Sequence, residues 1–536
     1  MSNKALIVND IFTQFSEDLK ITEHFQFSGD ELQGEIEVLC NSKPNIKFKV
    51  QINNIYPLKN GDLETIRFVN KELLKYSHLN KDGSICFTSL TSPTLEYKLE
   101  CDVKAMLEWV DKYYIQELDD GHFEYLLHNS IDMNSVFLFS DLDKHLDYND
   151  FGLAFYSKHS QSDIKKTYLL QGLKSRLNNE KASFNWSSGY NNPAQIFKGL
   201  YYISNSSPTS LRNFAFENWQ DFEQTLRPEF LKLLNDIRRH IDKKYLLDGK
   251  YIILFYGYPM PNGRFNFESI KINVSEIPLI KNGYIDQEII WAKTVDSSYD
   301  IFFGRGKLSD DFTDKKIMIL GVGALGSILA EAMVRGGCRQ ITIVDADMKE
   351  VGNICRSNYN FLSGEKLKVD ELRFNLMSIS PFVEIACLPN FLLPSNLSDK
   401  KNGKDDTAGF LNDYDYVFNC TASNDVSIII DRLELMTNVT SISISNHANE
   451  LFCYIGSKNI YNTTSEVFSK IKQDMSDVFN PQGCWSPTFK ASYHNISALV
   501  NFALSNIDYK LKTGKILTSF LLEVDKSDNY TIKLKD

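Results

Sequence analysis

Gly321-Val322-Gly323-Ala324-Leu325-Gly326 is a run whose residue types suit phosphate chemistry. Glycines at this spacing let the backbone turn sharply and come close to a phosphate. A helix starting there offers unpaired N–H groups and the positive end of its dipole. Residues 317–320 before the run are apolar and of strand length, residues 340–344 after it are β-rich, and Asp345 follows at the strand end. Strand, tight turn, helix, second strand and acidic residue is the order of a nucleotide-binding βαβ unit, in which Asp345 would hold a ribose hydroxyl. The glycines themselves do not say which nucleotide. Adenylation of a carboxylate needs cations that draw charge from the α-phosphate, and a carboxylate for magnesium. Arg356 and Lys368 follow Asp345 closely enough to reach phosphates.

Two thiols stand apart from the other cysteines by context. Cys86 follows an Asp82-Gly83 turn, and Cys484 lies in a Gly-Cys-Trp-Ser-Pro loop after the long connection 456–483. Both are expected to be exposed and able to carry thioesters. Cys338, Cys420 and Cys453 fall at or next to expected strands and read as small core residues. The nine cysteines include no CxxC pair. That argues against a disulfide framework and against a structural zinc of ordinary spacing, and it favours a reducing cytoplasm.

The elements that must position these groups divide the 536 residues into three expected domains, 1–145, 146–300 and 301–536, since one core stops growing at roughly 250 to 300 residues. A composition of 43% hydrophobic and 24% charged residues is that of a globular protein, and a net charge of −11 disfavours nucleic acid as a direct partner. No apolar run approaches membrane-spanning length, and no signal segment is evident. The first domain opens with helix-like mixing and continues with three strand candidates, 32–39, 46–52 and 64–69. In the second of these Ile46, Phe48, Val50 and Ile52 share one face. Asp102 is expected to start a helix with Val103, Met106, Leu107, Val110 and Tyr114 as its apolar stripe. The middle domain reads as mixed α/β without a chemical motif: a loop at 178–192, a helix opening at Pro228 and a buried strand at 251–256. In the last domain the first helix should end near Gly336-Gly337. Further strands are expected at 414–418, 441–445 and 451–455, a helix at 492–506, and a hairpin turning at 526–529.

Residues 317–368 resemble the adenylation domain of ubiquitin-activating and ThiF-type enzymes, through the glycine loop, Asp345, an Asn-x-x-Arg element at Asn353 and Arg356, and Gly364 with Lys368. Residues 30–118 resemble ubiquitin-conjugating enzymes, through the strands, Tyr56-Pro57, His78-Leu79-Asn80 and Gly83-Ser84-Ile85-Cys86. The order of domains is similar to the conjugation proteins of bacterial CBASS anti-phage operons. The resemblance implies an α+β conjugating-like domain, a mixed connecting domain and a Rossmann-like ThiF-type domain. It implies ATP and magnesium, and it implies Gly321, Gly323, Gly326, Asp345, Asn353, Arg356 and Lys368 as nucleotide-binding residues. It further implies Cys484 and Cys86 as successive thioester carriers, a cGAS/DncV-like nucleotidyltransferase as the activated partner, and a homodimer. Leu79 stands where the conjugating family has proline. Asn419-Cys420-Thr421-Ala422 lacks the family's magnesium aspartate, for which Asp425 is the nearest substitute, and Arg305 is the positional candidate for the arginine that completes the site.

Two other readings use the same residues. A nicotinamide-dependent oxidoreductase would employ the glycines and Asp345 but leave Asn353, Arg356, Lys368 and both loop cysteines without a role. A catalytically impaired dimeric scaffold would fit the departure at Ala422.

Overall fold

The computed structural model describes residues 2–535 apart from 62, 81, 119–130, 160–165, 192–194, 207–215, 217, 241, 243–244, 261, 275–288, 390–406, 434, 472–476 and 481–487. Two compact units are present: Met1–Phe184 with Pro193–Ser297, and Asn185–Asn192 with Ser298–Asp536.

The first unit begins with helix α1 (Ser2–Gln14) and an antiparallel meander of four strands, β1 (Leu19–Ser28), β2 (Glu31–Val38), β3 (Ile46–Ile52) and β4 (Ile66–Val69). Alternation explains β2 and β3, where every second side chain is buried. β1 escapes a reading by alternation because only Leu19 and Phe25 of its ten residues are buried. Helix α2 (Leu95–Trp109) packs Leu99, Val103, Met106 and Trp109 into the core shared with these strands. It starts seven residues before Asp102, so Asp102 is no N-cap; it lies inside the helix, fully buried, one turn after Lys98.

The same unit then forms a second sheet from β5 (Ile131–Phe139), β6 (Phe151–Lys158), β7 (Lys166–Ser175), β8 (Lys181–Ser183), β9 (Ile196–Ile203), β10 (Tyr251–Pro259), β11 (Phe265–Asn273) and β12 (Trp291–Asp296). β5 pairs with β12 on one side and with β7 on the other, so the sheet closes on itself. Phe137, Tyr156, Tyr168 and Phe255 pack ring against ring inside it. Helix α3 (Pro228–His240) begins at the expected proline and lays Phe230 and Leu234 on the opposite face.

In the second unit β13 (Lys316–Leu320), α4 (Ala324–Arg335), β14 (Gln340–Val344), α5 (Lys368–Ile379), β15 (Glu384–Cys387), β16 (Tyr416–Asn419), α6 (Asn424–Arg432), β17 (Val439–Ile444), β18 (Glu450–Gly456), α7 (Ile460–Lys470), α8 (Tyr493–Lys512), β19 (Phe520–Asp525) and β20 (Thr531–Lys535) follow in order. The strand order is β15-β14-β13-β16-β17-β18-β19-β20, parallel from β15 to β17 and antiparallel beyond. Strands buried on both faces read as continuous apolar runs, and Ile317, Met318, Ile319 and Leu320 are all fully buried. Gly336 caps α4 as expected. The connection 456–483 contains the amphipathic helix α7, where the sequence reading expected none. A short helical turn, Thr407–Asn412, precedes β16. No helix among the described residues is long and apolar enough to cross a membrane.

Candidate functional site

The parallel register sets the C-terminal ends of β13, β14 and β16 level, with Leu320 paired to Val344 and to Asn419. Ligands of open α/β sheets bind at such an edge. Here it opens as a cavity of about 240 Å³ lined by Gly321, Gly323, Asp345, Asp347, Lys368 and Thr421 among others.

Each glycine of the run has a separate reason. Gly321 takes φ +80°, and a Cβ on it would meet the Thr421 backbone at 2.8 Å. A Cβ on Gly326 would lie 1.9 Å from the Gly321 carbonyl oxygen, so only glycine lets α4 begin this close to the turn. At Gly323 an added Cβ meets nothing within 4 Å; the turn presents bare backbone there, at the N-terminus of a twelve-residue helix. Asp345 closes the turn: its Oδ2 accepts from the Val322 N–H at 2.8 Å and its Oδ1 from the Asp347 N–H at 2.9 Å. The Tyr359 hydroxyl donates to the Val322 carbonyl from below. Burial raises the Tyr359 hydroxyl's pKa, so it stays a proton donor.

Lys368 reaches the cavity from the first turn of α5. Its ammonium donates to Asp347 Oδ2 at 2.7 Å and its N–H to the Asp347 carbonyl at 3.0 Å. The Lys368 side chain is largely buried while that of Asp347 is exposed. Behind them Lys349 pairs with Glu371 at 2.6 Å, both nearly inaccessible, and also donates to the Asn360 carbonyl and the Ser363 hydroxyl. Although burial alone would raise it, the Asn360 N–H and the Lys349 ammonium hold the Glu371 carboxyl below its ordinary value. This pair fixes α5 one turn beyond Lys368.

Gly321, Gly323, Asp345 and Lys368 thus converge, and Gly326 packs behind them. Asn353 lies in a 3₁₀ turn, Val351–Arg356, where its side chain accepts from the Glu350 N–H at 3.1 Å. Arg356 donates to the Phe489 carbonyl at 3.2 Å. Asp425 is exposed in the first turn of α6, and Arg305 is exposed in the turn after the short helix Tyr299–Phe303. None of these four lines the cavity among the described residues. Thr421 and Tyr359 belong to the site; the sequence marks Thr421 only as part of the 419–422 run and Tyr359 not at all, because a side chain that meets the glycine turn through long-range packing carries no spacing signal.

Cys420 lines the cavity, but burial pushes its thiol up to about 12, which makes it an inert core residue. Cys338 and Cys453 are buried likewise. Cys86 is exposed, directly after the Asp82-Gly83 turn, with its N–H donated to the His78 carbonyl at 2.7 Å. The Asn80 amide donates to the Ser84 hydroxyl at 3.1 Å. Cys484 lies outside the described residues.

Sheet order and turn define an α/β domain of the Rossmann type. Residues 301–457 match the ThiF family. The chain is 27% identical over 213 residues to the ATP-dependent ubiquitin transferase-like protein Cap2 of Enterobacter hormaechei, covering 38% of this chain and 34% of that one. It is 36% identical over 97 residues to the tRNA threonylcarbamoyladenosine dehydratase of Bacillus subtilis, covering 17% and 38%. With the adenylyltransferase and sulfurtransferase uba4 of Ogataea parapolymorpha it shares 25% identity over 147 residues, covering 27% and 35%. The matched stretches span about a third of the length of these relatives.

Proposed function

We propose that the chain is an ATP-dependent adenylyltransferase that activates the C-terminal carboxylate of a protein and passes it on through thioesters. The carrying observation is the convergence of Gly321, Gly323, Asp345 and Lys368 on one cavity within the stretch that matches the ThiF family. The substrate carboxylate oxygen attacks the α-phosphorus of ATP, and pyrophosphate leaves. Bare backbone at Gly323 and the ammonium of Lys368 stabilise charge on the phosphates, and Asp345 exchanges its turn contacts for a ribose hydroxyl. Magnesium would neutralise charge on the outgoing phosphates and needs only one or two protein carboxylates; the candidate carboxylate, Asp425, stands exposed in the first turn of α6, outside the cavity lining among the described residues. We assign Asn353 and Arg356, which lie outside the cavity lining among the described residues, to the nucleotide side of the site, and Arg305 to its completion from a second copy in a homodimer.

The Cys484 thiolate then attacks the acyl carbon and releases AMP. Cys86 takes the acyl group by thioester exchange, and a target amine takes it from Cys86, leaving the thiol. The similarity to an ATP-dependent ubiquitin transferase-like protein supports transfer of an activated protein, and the order of domains, similar to that of CBASS conjugation proteins, is the ground for a cGAS/DncV-like nucleotidyltransferase as the activated partner in cytoplasmic anti-phage conjugation.

The test is pyrophosphate exchange and non-reducing electrophoresis of the full chain with ATP, magnesium and the candidate partner. Cys484→Ala should abolish both thiol-sensitive adducts, and Cys86→Ala only the second. Adducts that persist without both cysteines refute the relay; absence of exchange with every offered carboxylate refutes adenylation.

A further inference from the structure

Residues 86–92 have no regular secondary structure, yet they carry the exposed Cys86. On the upstream side the Cys86 N–H is held by the His78 carbonyl, which also accepts from the Trp109 indole at 3.1 Å. Three residues downstream every polar group of Ser89 is gripped. Its N–H donates to Glu64 Oε1 at 3.2 Å, its carbonyl accepts from Lys59 at 3.2 Å, and its hydroxyl accepts from Lys98 at 2.7 Å and donates to Asp102.

Behind Ser89 the Lys98 ammonium is fully buried with all three protons used: on Ser89, on Glu64 Oε2 at 2.7 Å and on Asp102 Oδ1 at 2.6 Å. Tyr56 donates to the other Asp102 oxygen at 2.8 Å. Lys59 pairs with Glu64 at 2.7 Å, so two ammonium groups face two carboxylates. A buried ionic cluster adds little to stability compared with a well-packed apolar core. Its geometry does what an apolar core cannot, for it captures a loop backbone on both its N–H and its carbonyl.

We propose that the Lys98–Glu64–Asp102 cluster, acting through Ser89, is a positioning device for Cys86. This rests on the reading of Cys86 as an acyl carrier, and it names Ser89 and Lys98 as positioning residues for the transfer step. An irregular loop opens locally unless contacts prevent it, and a transfer that needs aligned reacting atoms loses rate when it does.

The test uses the full chain with Ser89→Ala, and Ser89→Thr to restore the hydroxyl. Cys86 alkylation by iodoacetamide is followed on its own peptide by mass spectrometry, without nucleotide or partner, beside discharge of the Cys86 thioester to an amine. Ser89→Ala should speed alkylation several-fold and slow discharge about tenfold, with melting within a few degrees of the parent, and Ser89→Thr should restore both. Should Ser89→Ala melt early, Lys59→Gln, which releases only the Ser89 carbonyl and one Glu64 contact, should show the same opposite changes at smaller size. Unchanged alkylation and discharge in the folded variants overturn the positioning role. A wild-type chain that forms no thioester, with alkylation still responsive to Ser89, overturns the acyl-carrier reading instead.

Discussion

Each unit buries a lysine against carboxylates beside its candidate working residue, and the two clusters are built differently. Lys349 joins residues 360 and 363 of its own β14-to-α5 connection to Glu371 in the first turn of α5, one turn from Lys368. The cluster around Lys98 joins residues 56, 59, 64, 89, 98 and 102, drawn from the β3-to-β4 connection, the segment after Cys86 and α2. The Lys368 side of the cleft is therefore held by nearby chain, and the cysteine loop by segments further apart in sequence.

Breaking either cluster should give the largest effect. Lys349→Met and Lys98→Met each leave buried carboxylate without its cation, a loss of about 3–5 kcal/mol in denaturant unfolding. Adding Glu371→Leu to Lys349→Met should recover most of that loss, because one carboxylate faces that lysine. Adding Glu64→Leu to Lys98→Met should not, because Asp102 stays uncompensated. Equal recovery in both would erase the contrast.

Next in size is Gly326→Ala, whose Cβ would collide with the Gly321 carbonyl. Overpacking of this kind costs about 1–3 kcal/mol, and the variant should lose its thermal shift with ATP. On the proposed function Lys368→Met removes the cation assigned to the phosphates and should lower pyrophosphate exchange about a hundredfold while leaving Cys86 alkylation untouched.

The smallest effect lies in acid. Glu371 has a carboxyl held below the ordinary 4.5, so its stabilisation is present above that pH and is lost as pH falls through the lowered value. Glu371→Gln should flatten the fall of melting temperature below about pH 4.5. The Asp102 carboxyl is instead raised, chiefly by burial, so ionising it weakens the fold as pH rises through the carboxylate range. Asp102→Asn should therefore remove a destabilising contribution there and offset part of its lost contact with Lys98.

What could be read from the chain follows the same division. The strand, turn, helix and acidic residue from 316 to 345 were legible because contiguous residues specify them: glycines by steric need, strands by apolar runs, the helix end by Gly336. The apolar stripe of α2 was legible by its period, but its start was misplaced, since Asp102 has the chemistry of a cap and the burial of a core residue. β1 was missed for want of a clean period, and α7, amphipathic but short and rich in Asn, Ser and Thr, was missed within a stretch that read as connection.

By itself, then, the sequence determined the glycine turn, the parallel strands around it and the turn that precedes Cys86. Tertiary structure alone decided that β5 closes the middle sheet through β7 and β12, that Thr421 and Tyr359 frame the glycine turn, and that Ser89 is held by Lys98. The physical reason is range. A glycine conformation or an apolar period is set by neighbours a few residues away, whereas a shared proton or a packed ring needs partners that only the folded chain brings together.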